Sequence, residues 1–219
     1  MGRVVGVRQG KVSQCQKPRG WLGRLTLWNM NSRHSKVTDW GLTHATIEAN
    51  YAVLDAGCGG GRTVDKLAAI VTQGKVFGVD YSQESVAVAR KTNRRWIEMG
   101  RVEICEGSVS NLPFSENTFD LVTAVETHIW WPDLPADMRE VCRVVKPGGK
   151  LVIIAEIYKG APTRIAKLAE KYAPLAGMSL LSAEEHRQLF VDAGYMDVQI
   201  FEKPDKAWIC GVGTKPVLP

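Results

Sequence analysis

Long hydrophobic runs are missing from this 219-residue chain, and no stretch approaches the roughly 18 apolar residues that a membrane-spanning helix needs. The N-terminus is basic but has no apolar segment before Trp21 of the kind a secretory signal carries, so export is not expected. Cysteines are few and isolated. Cys15, Cys58, Cys105, Cys142 and Cys210 include no C-x-x-C pair, which disfavours a zinc site or a disulfide framework and fits a reducing cytoplasm. Internal repeats and low-complexity tracts are absent as well. Acid is absent from residues 1–38, which hold Arg3, Arg8, Lys11, Lys17, Arg19, Arg24, Arg33 and Lys36, so against a net charge of +5 the remaining chain is mildly acidic. The basic character therefore belongs to an N-terminal arm. Such an arm fits a solvated tail followed by a packed helix, or a contact with nucleic acid or anionic lipid.

What is present is enough apolar material, 45% of the chain, for one sizeable core. Strand and helix patterns alternate, the signature of a parallel sheet covered on both faces. Strands are expected near 51–56, 75–80, 102–106, 120–126 and 150–157, with helices near 62–72, 83–98 and 134–145 capped by residues such as Ser82 and Asp133. A further helix is expected over 163–173, and Ser182 with Glu185 reads as a capping box opening a helix that ends at Gly194. The last two apolar runs, 198–201 and 207–212, are too close for a parallel crossover and must pair antiparallel.

The most specific stretch is Val53-Leu54-Asp55-Ala56-Gly57-Cys58-Gly59-Gly60-Gly61-Arg62, followed by Phe77-Gly78-Val79-Asp80-Tyr81. A buried strand ends in a glycine-rich turn, a helix follows, and a second strand ends in one carboxylate. Glycines let the backbone approach a bulky ligand, and an acid one strand later accepts hydrogen bonds from a ribose diol. The dinucleotide fingerprint G-x-G-x-x-G is not reproduced, because Val64 stands three residues beyond Gly61. Asp55 is also an acid where a pyrophosphate would have to sit, and it suits a ligand with a cationic amine better.

This D-x-G-x-G-x-G strand end with Asp80 resembles the cofactor motif of class I S-adenosylmethionine-dependent methyltransferases. Glu106-Gly107-Ser108, Asn111-Leu112-Pro113-Phe114, Phe119-Asp120-Leu121-Val122 and Arg143-Val144-Val145-Lys146-Pro147-Gly148-Gly149 continue the resemblance over about residues 50–158. Within that class it resembles the broad small-molecule group that contains the ubiquinone and menaquinone C-methyltransferases. The resemblance implies a Rossmann-like α/β fold: a seven-stranded, mostly parallel sheet with one antiparallel strand from a C-terminal hairpin and helices on both faces. It implies S-adenosylmethionine as cofactor, S-adenosylhomocysteine as product, and no metal. Asp55 with the Ala56-Gly57-Cys58-Gly59 turn would hold the methionine moiety, Asp80 the ribose, Tyr81 a face of adenine, and Ser108 with the Val109 amide the adenine edge. Val125, on the strand that points at the transferred methyl, is also expected in the cofactor site. Many relatives carry an acid where this chain has Ser108, so the contact to the adenine amine is expected to be weaker or water-mediated.

The acceptor side again begins with absences. There is no N/D-P-P-Y tetrad and no Pro-Cys pair, the two best-known signatures of base methylation, so nucleic acid is disfavoured as a substrate. The strand end Ala124-Val125-Glu126-Thr127-His128-Ile129-Trp130-Trp131-Pro132 instead suits a small apolar or aromatic acceptor. His128 is the expected general base because imidazole titrates near working pH, with Glu126 as the alternative. Residues 1–45 are expected to form the basic arm and a lid helix bearing Trp21, Leu25 and Trp28 on one face, and 46–219 the methyltransferase domain. Trp28, His34 and Trp40 would meet the cleft from the lid, opposite Trp130 and Trp131. Two other readings stand beside this one: a membrane-surface quinone or lipid methyltransferase anchored peripherally by the arm, and a non-catalytic S-adenosylmethionine- or RNA-binding module.

Overall fold

The computed structural model describes residues 35–217. Within them the chain runs α1 (Ser35–Leu42), β1 (Ala52–Ala56), α2 (Arg62–Ile70), β2 (Lys75–Asp80), α3 (Gln83–Thr92), α4 (Arg94–Glu98), β3 (Val102–Glu106) and β4 (Phe119–Val125). A 3-10 turn (His128–Trp130) leads into α5 (Leu134–Val144), β5 (Val145–Ala155), α6 (Arg164–Ala176), α7 (Ala183–Asp192), β6 (Met196–Lys203) and β7 (Trp208–Thr214). The seven strands lie in the order β3-β2-β1-β4-β5-β7-β6. The first five are mutually parallel, and β7 runs antiparallel to both β5 and β6, as the short hairpin requires.

Because side chains alternate along each strand, every central strand feeds two cores. Val53, Val76, Leu121, Val152 and Ile154 face one side, beneath Val64 and Leu67 of α2 and Val86 of α3. Leu54, Val122, Ala124, Leu151 and Ile153 face the other, beneath Met138 and Val141 of α5 and Leu189 and Phe190 of α7. α1 joins the first core. Val37 and Leu42 are buried there, and the α1 backbone approaches so closely at Gly41 that an added Cβ would lie 2.4 Å from Ile154 Cδ1. Residues 35–42 of the segment expected as arm and lid therefore pack as part of the domain. Trp21, Trp28 and His34 lie outside the described residues.

Two expected boundaries shift for visible reasons. The helix expected over 83–98 is broken at Asn93, whose buried amide nitrogen donates to Gly61 O (2.9 Å) and Ala89 O (3.0 Å) and so ties the helix end to the glycine turn. β5 starts at Val145, ahead of the glycine pair, because Val145 already pairs with Phe119 before a register shift. The caps hold as expected: Ser82, Asp133 and Ser182 each accept a backbone N–H, and Ser182 with Glu185 completes the capping box.

Candidate functional site

The strand order reverses between β1 and β4, and in open α/β sheets the crevice outside the carboxyl ends at such a switch point is where ligands bind. Here that crevice is walled by Gly57, Val79, Asp80, Tyr81, Gly107, Ser108, Val109, Thr127, Trp130, Trp131 and Pro132. Seven of the residues expected from sequence thus meet in one cleft: Gly57, Asp80, Tyr81, Ser108, Val109, Trp130 and Trp131.

The floor is made by backbone hydrogen bonds. The Gly57 and Cys58 amides both donate to Val79 O, at 2.8 and 2.9 Å, folding the turn after β1 over the end of β2. Asp80 then locks it: Oδ2 accepts from the Gly59 amide and Oδ1 from the Ser82 amide, each at 2.9 Å. Asp80 is only 8% exposed, and burial pushes its carboxyl up while the Ser82, Gly59 and Ser85 hydrogen bonds oppose this. Each oxygen spends one acceptor position on an amide, which leaves acceptor capacity for a ligand hydroxyl. Gly57 has φ 79°, and a Cβ there would stand 2.0 Å from Thr127 Oγ1. Gly57→Ala is expected to destabilise the protein by about 2–4 kcal/mol, through left-handed strain plus overpacking, read as a lower urea midpoint; a midpoint equal to the parent's would show that the turn relaxes freely.

Other expected residues lie elsewhere. Asp55 is buried beside its cross-strand neighbour Thr123 of β4, 2% exposed, with Thr123 Oγ1 donating to Oδ1 at 2.8 Å. Burial drives its carboxyl up to about 7, the Thr123 bond opposes, and the Asp80 charge adds to the rise. It is not among the residues that line the cleft. Ala56 and the Cys58 side chain are buried in the two cores, the Gly59 amide is committed to Asp80, and half-buried Val125 packs against the first core. Trp40 rests against Trp208 (5.9 Å between centroids) and His44 (4.9 Å), apart from the cleft lining.

His128 departs most from expectation. It is 0% exposed, with Nε2 3.1 Å from His186 Nε2, and it is not among the cleft residues. His186 Nδ1 lies 2.8 Å from Ser182 O, so that nitrogen carries the hydrogen, His186 Nε2 is the acceptor, and His128 Nε2–H donates across the pair. Burial, with His186 beside it, holds His128 well below the usual imidazole range. A neutral, enclosed imidazole that spends its hydrogen on another histidine is placed to organise the loop after β4, and this geometry argues against the general-base role. Glu126 sits at the end of β4 with φ 58°. Its amide donates to Ile154 O at 2.9 Å and its carboxylate accepts from the Glu156 amide, so it fastens the ends of β4 and β5.

Val79, Gly107, Thr127 and Pro132 are cleft residues not expected as site residues from the sequence. Thr127 fills the space left by the missing Gly57 side chain and accepts from Trp131 Nε1 at 3.3 Å, setting one indole of the wall. Its signal was present, since it lies inside the strand-end segment already singled out.

Residues 54–153 match the family model described as Methyltransferase domain. The chain is 30% identical over 199 residues to the demethylmenaquinone methyltransferase of Shouchella clausii (strain KSM-K16), covering 78% of this chain and 81% of that protein. It is 29% identical to the O-methyltransferase cnsE of Penicillium expansum, over 68% of this chain and 53% of that protein. A SAM-dependent methyltransferase from Aquifex aeolicus has the same fold, with TM-score 0.71 and 21% identity over 88% of this chain and 98% of that one. With the glycine turn, the Asp80 lock and the switch-point cleft in place, the chain belongs to the class I S-adenosylmethionine-dependent methyltransferases.

Proposed function

We propose that the enzyme methylates a small apolar or aromatic acceptor, and the observation that carries this is that Trp130, Trp131 and Pro132 line the same cleft as Asp80. Planar indoles present apolar area with little rotamer entropy, a surface suited to an aromatic ring. Relatives named for demethylmenaquinone and for O-methylation support the same class of acceptor. When bound, S-adenosylmethionine supplies the methyl group from a sulfonium. The protein's part is alignment and exclusion of water. Asp80 accepts from the ribose hydroxyls, Tyr81 flanks adenine, and Ser108 with the Val109 amide meets the adenine edge. The turn from Gly57 to Gly59 carries the methionine end on its backbone. An acidic phenol or quinol needs little help in losing its proton.

Titration calorimetry should show micromolar binding of S-adenosylmethionine and S-adenosylhomocysteine, about −7 to −8 kcal/mol, and much weaker binding of NAD. NAD bound as tightly as the methyl donor would overturn the assignment of the cleft. A methyl-transfer assay against a panel of quinols, phenols and polar amines identifies the acceptor class. Turnover confined to polar amines would refute an apolar or aromatic acceptor.

A further inference from the structure

One helix carries its apolar residues on the outside. α6 buries Ala166, which packs with Tyr158, Ala161 and Ile209, and also Ala173. On the same side Glu170 accepts from the Gly160 amide at 2.7 Å. Ile165, Leu168, Tyr172 and Leu175 recur at i, i+3, i+7 and i+10 on the opposite side, and they are 48 to 85% exposed. These are the residues that an ordinary surface helix turns inward. Arg164, Lys167 and Lys171 line one border of the stripe, all exposed, and none is paired with a carboxylate among the described residues.

We propose that this face of α6 seats the enzyme on an anionic lipid bilayer. Ile165, Leu168, Tyr172 and Leu175 enter the headgroup boundary, and Arg164, Lys167 and Lys171 meet the lipid phosphates, the division of labour of an interfacial amphipathic helix. Charge selects this occupant over others from the same chain. The stripe of a second copy laid antiparallel would bring its own cationic border against this one, and residues 1–38 carry eight basic residues and no acid. An anionic lipid surface satisfies both the stripe and its border.

The position of α6 gives docking a consequence for the cleft. The segment leaving α6 donates the Ser179 amide to Ile129 O at 2.9 Å, inside the 3-10 turn that carries Trp130. A docked α6 therefore holds the tryptophan wall beside the lipid, and an apolar acceptor dissolved there reaches the cleft without crossing water. This last step rests on the apolar-acceptor reading, whereas the docking itself does not.

The test is flotation of the full chain with vesicles of phosphatidylglycerol and phosphatidylcholine, against phosphatidylcholine alone. Binding should require the anionic lipid and decline with salt. Leu168→Gln/Leu175→Gln and Lys167→Glu/Lys171→Glu should each weaken it by about tenfold or more. Thermal midpoints and S-adenosylmethionine affinity should stay unchanged, which separates docking from folding and from the cofactor site. Parent-like binding by both double variants would overturn the proposal and place the contact on another surface. A parent dimer that Leu168→Gln/Leu175→Gln dissociates, with no vesicle binding, would overturn it in favour of a self-interface. Vesicle binding with transfer only to water-soluble polar acceptors would refute the apolar-acceptor reading and leave the docking surface standing.

Discussion

Asp80→Ala is expected to weaken S-adenosylmethionine by about 3 kcal/mol or more, roughly 150-fold, with the far-ultraviolet dichroism of the folded chain retained. Two losses combine. The ribose hydroxyls lose a charged acceptor, and the Gly59 and Ser82 amides that Asp80 now holds lose theirs, so the turn is no longer preset. Asp80→Asn separates the two. It retains one carbonyl acceptor but sets an amine against the other backbone N–H, so its affinity should fall between parent and alanine variant. Calorimetry giving the alanine variant parent-like affinity would mean that the ribose sits elsewhere.

The second large effect concerns His128. His128→Ala should cost about 3 kcal/mol of stability, because it opens a cavity in the core and strands His186 Nε2 as a buried acceptor. His128→Gln can still donate to His186, and its turnover should stay within a few-fold of the parent; a loss of about 10²-fold or more would restore His128 as the base. Its pH response is the sharper readout. Both histidines are held below their ordinary value of 6.5 chiefly by burial; for His186 the Ser182 carbonyl and Glu185 oppose that shift. A base depressed in the fold contributes stability that is complete above the unfolded pKa and is lost as pH falls through the folded one.

Asp55, held up to about 7, acts in the opposite sense. Its native proton is retained while the unfolded chain ionises, so its contribution falls as pH rises from about 4 to 7. The two effects overlap, so the parent's own acid slope is ambiguous and the difference between parent and variant is what counts. Between pH 7.5 and 5, His128→Gln should lose less stability than the parent, since one proton no longer binds selectively to the unfolded chain. Parallel denaturation curves at the two pH values would show that His128 does not titrate in this way.

Residues whose roles depend on neighbours in sequence were readable in advance. The glycine turn, Asp80 at a strand end, Ser82 and Ser182 as caps, and the hairpin of β6 and β7 all follow from spacing over a few residues. Residues whose partners come from far along the chain were not. His128 looked like a free imidazole because His186 is 58 positions away, on a helix whose register against the 3-10 turn only the fold sets. Asp55 looked like a ligand contact because Thr123 arrives from β4. Trp40 is expected at the cleft as part of a lid, yet the close approach at Gly41 sends it to Trp208. The break at Asn93 escaped because helix propensity continues across it, while the carbonyl it serves belongs to Gly61.

That contact between Asn93 and Gly61 also constrains how the sequence can drift. A Cβ at position 61 would stand 2.5 Å from Asn93 Nδ2 and 2.9 Å from the Ala89 Cα, while any side chain at 93 without an amide donor leaves the Gly61 carbonyl unserved. Positions 61, 89 and 93 therefore make one heritable unit split between two helices. Accepted substitutions at one of them should appear only alongside changes at the others, even though neither Ala89 nor Asn93 lines the cleft.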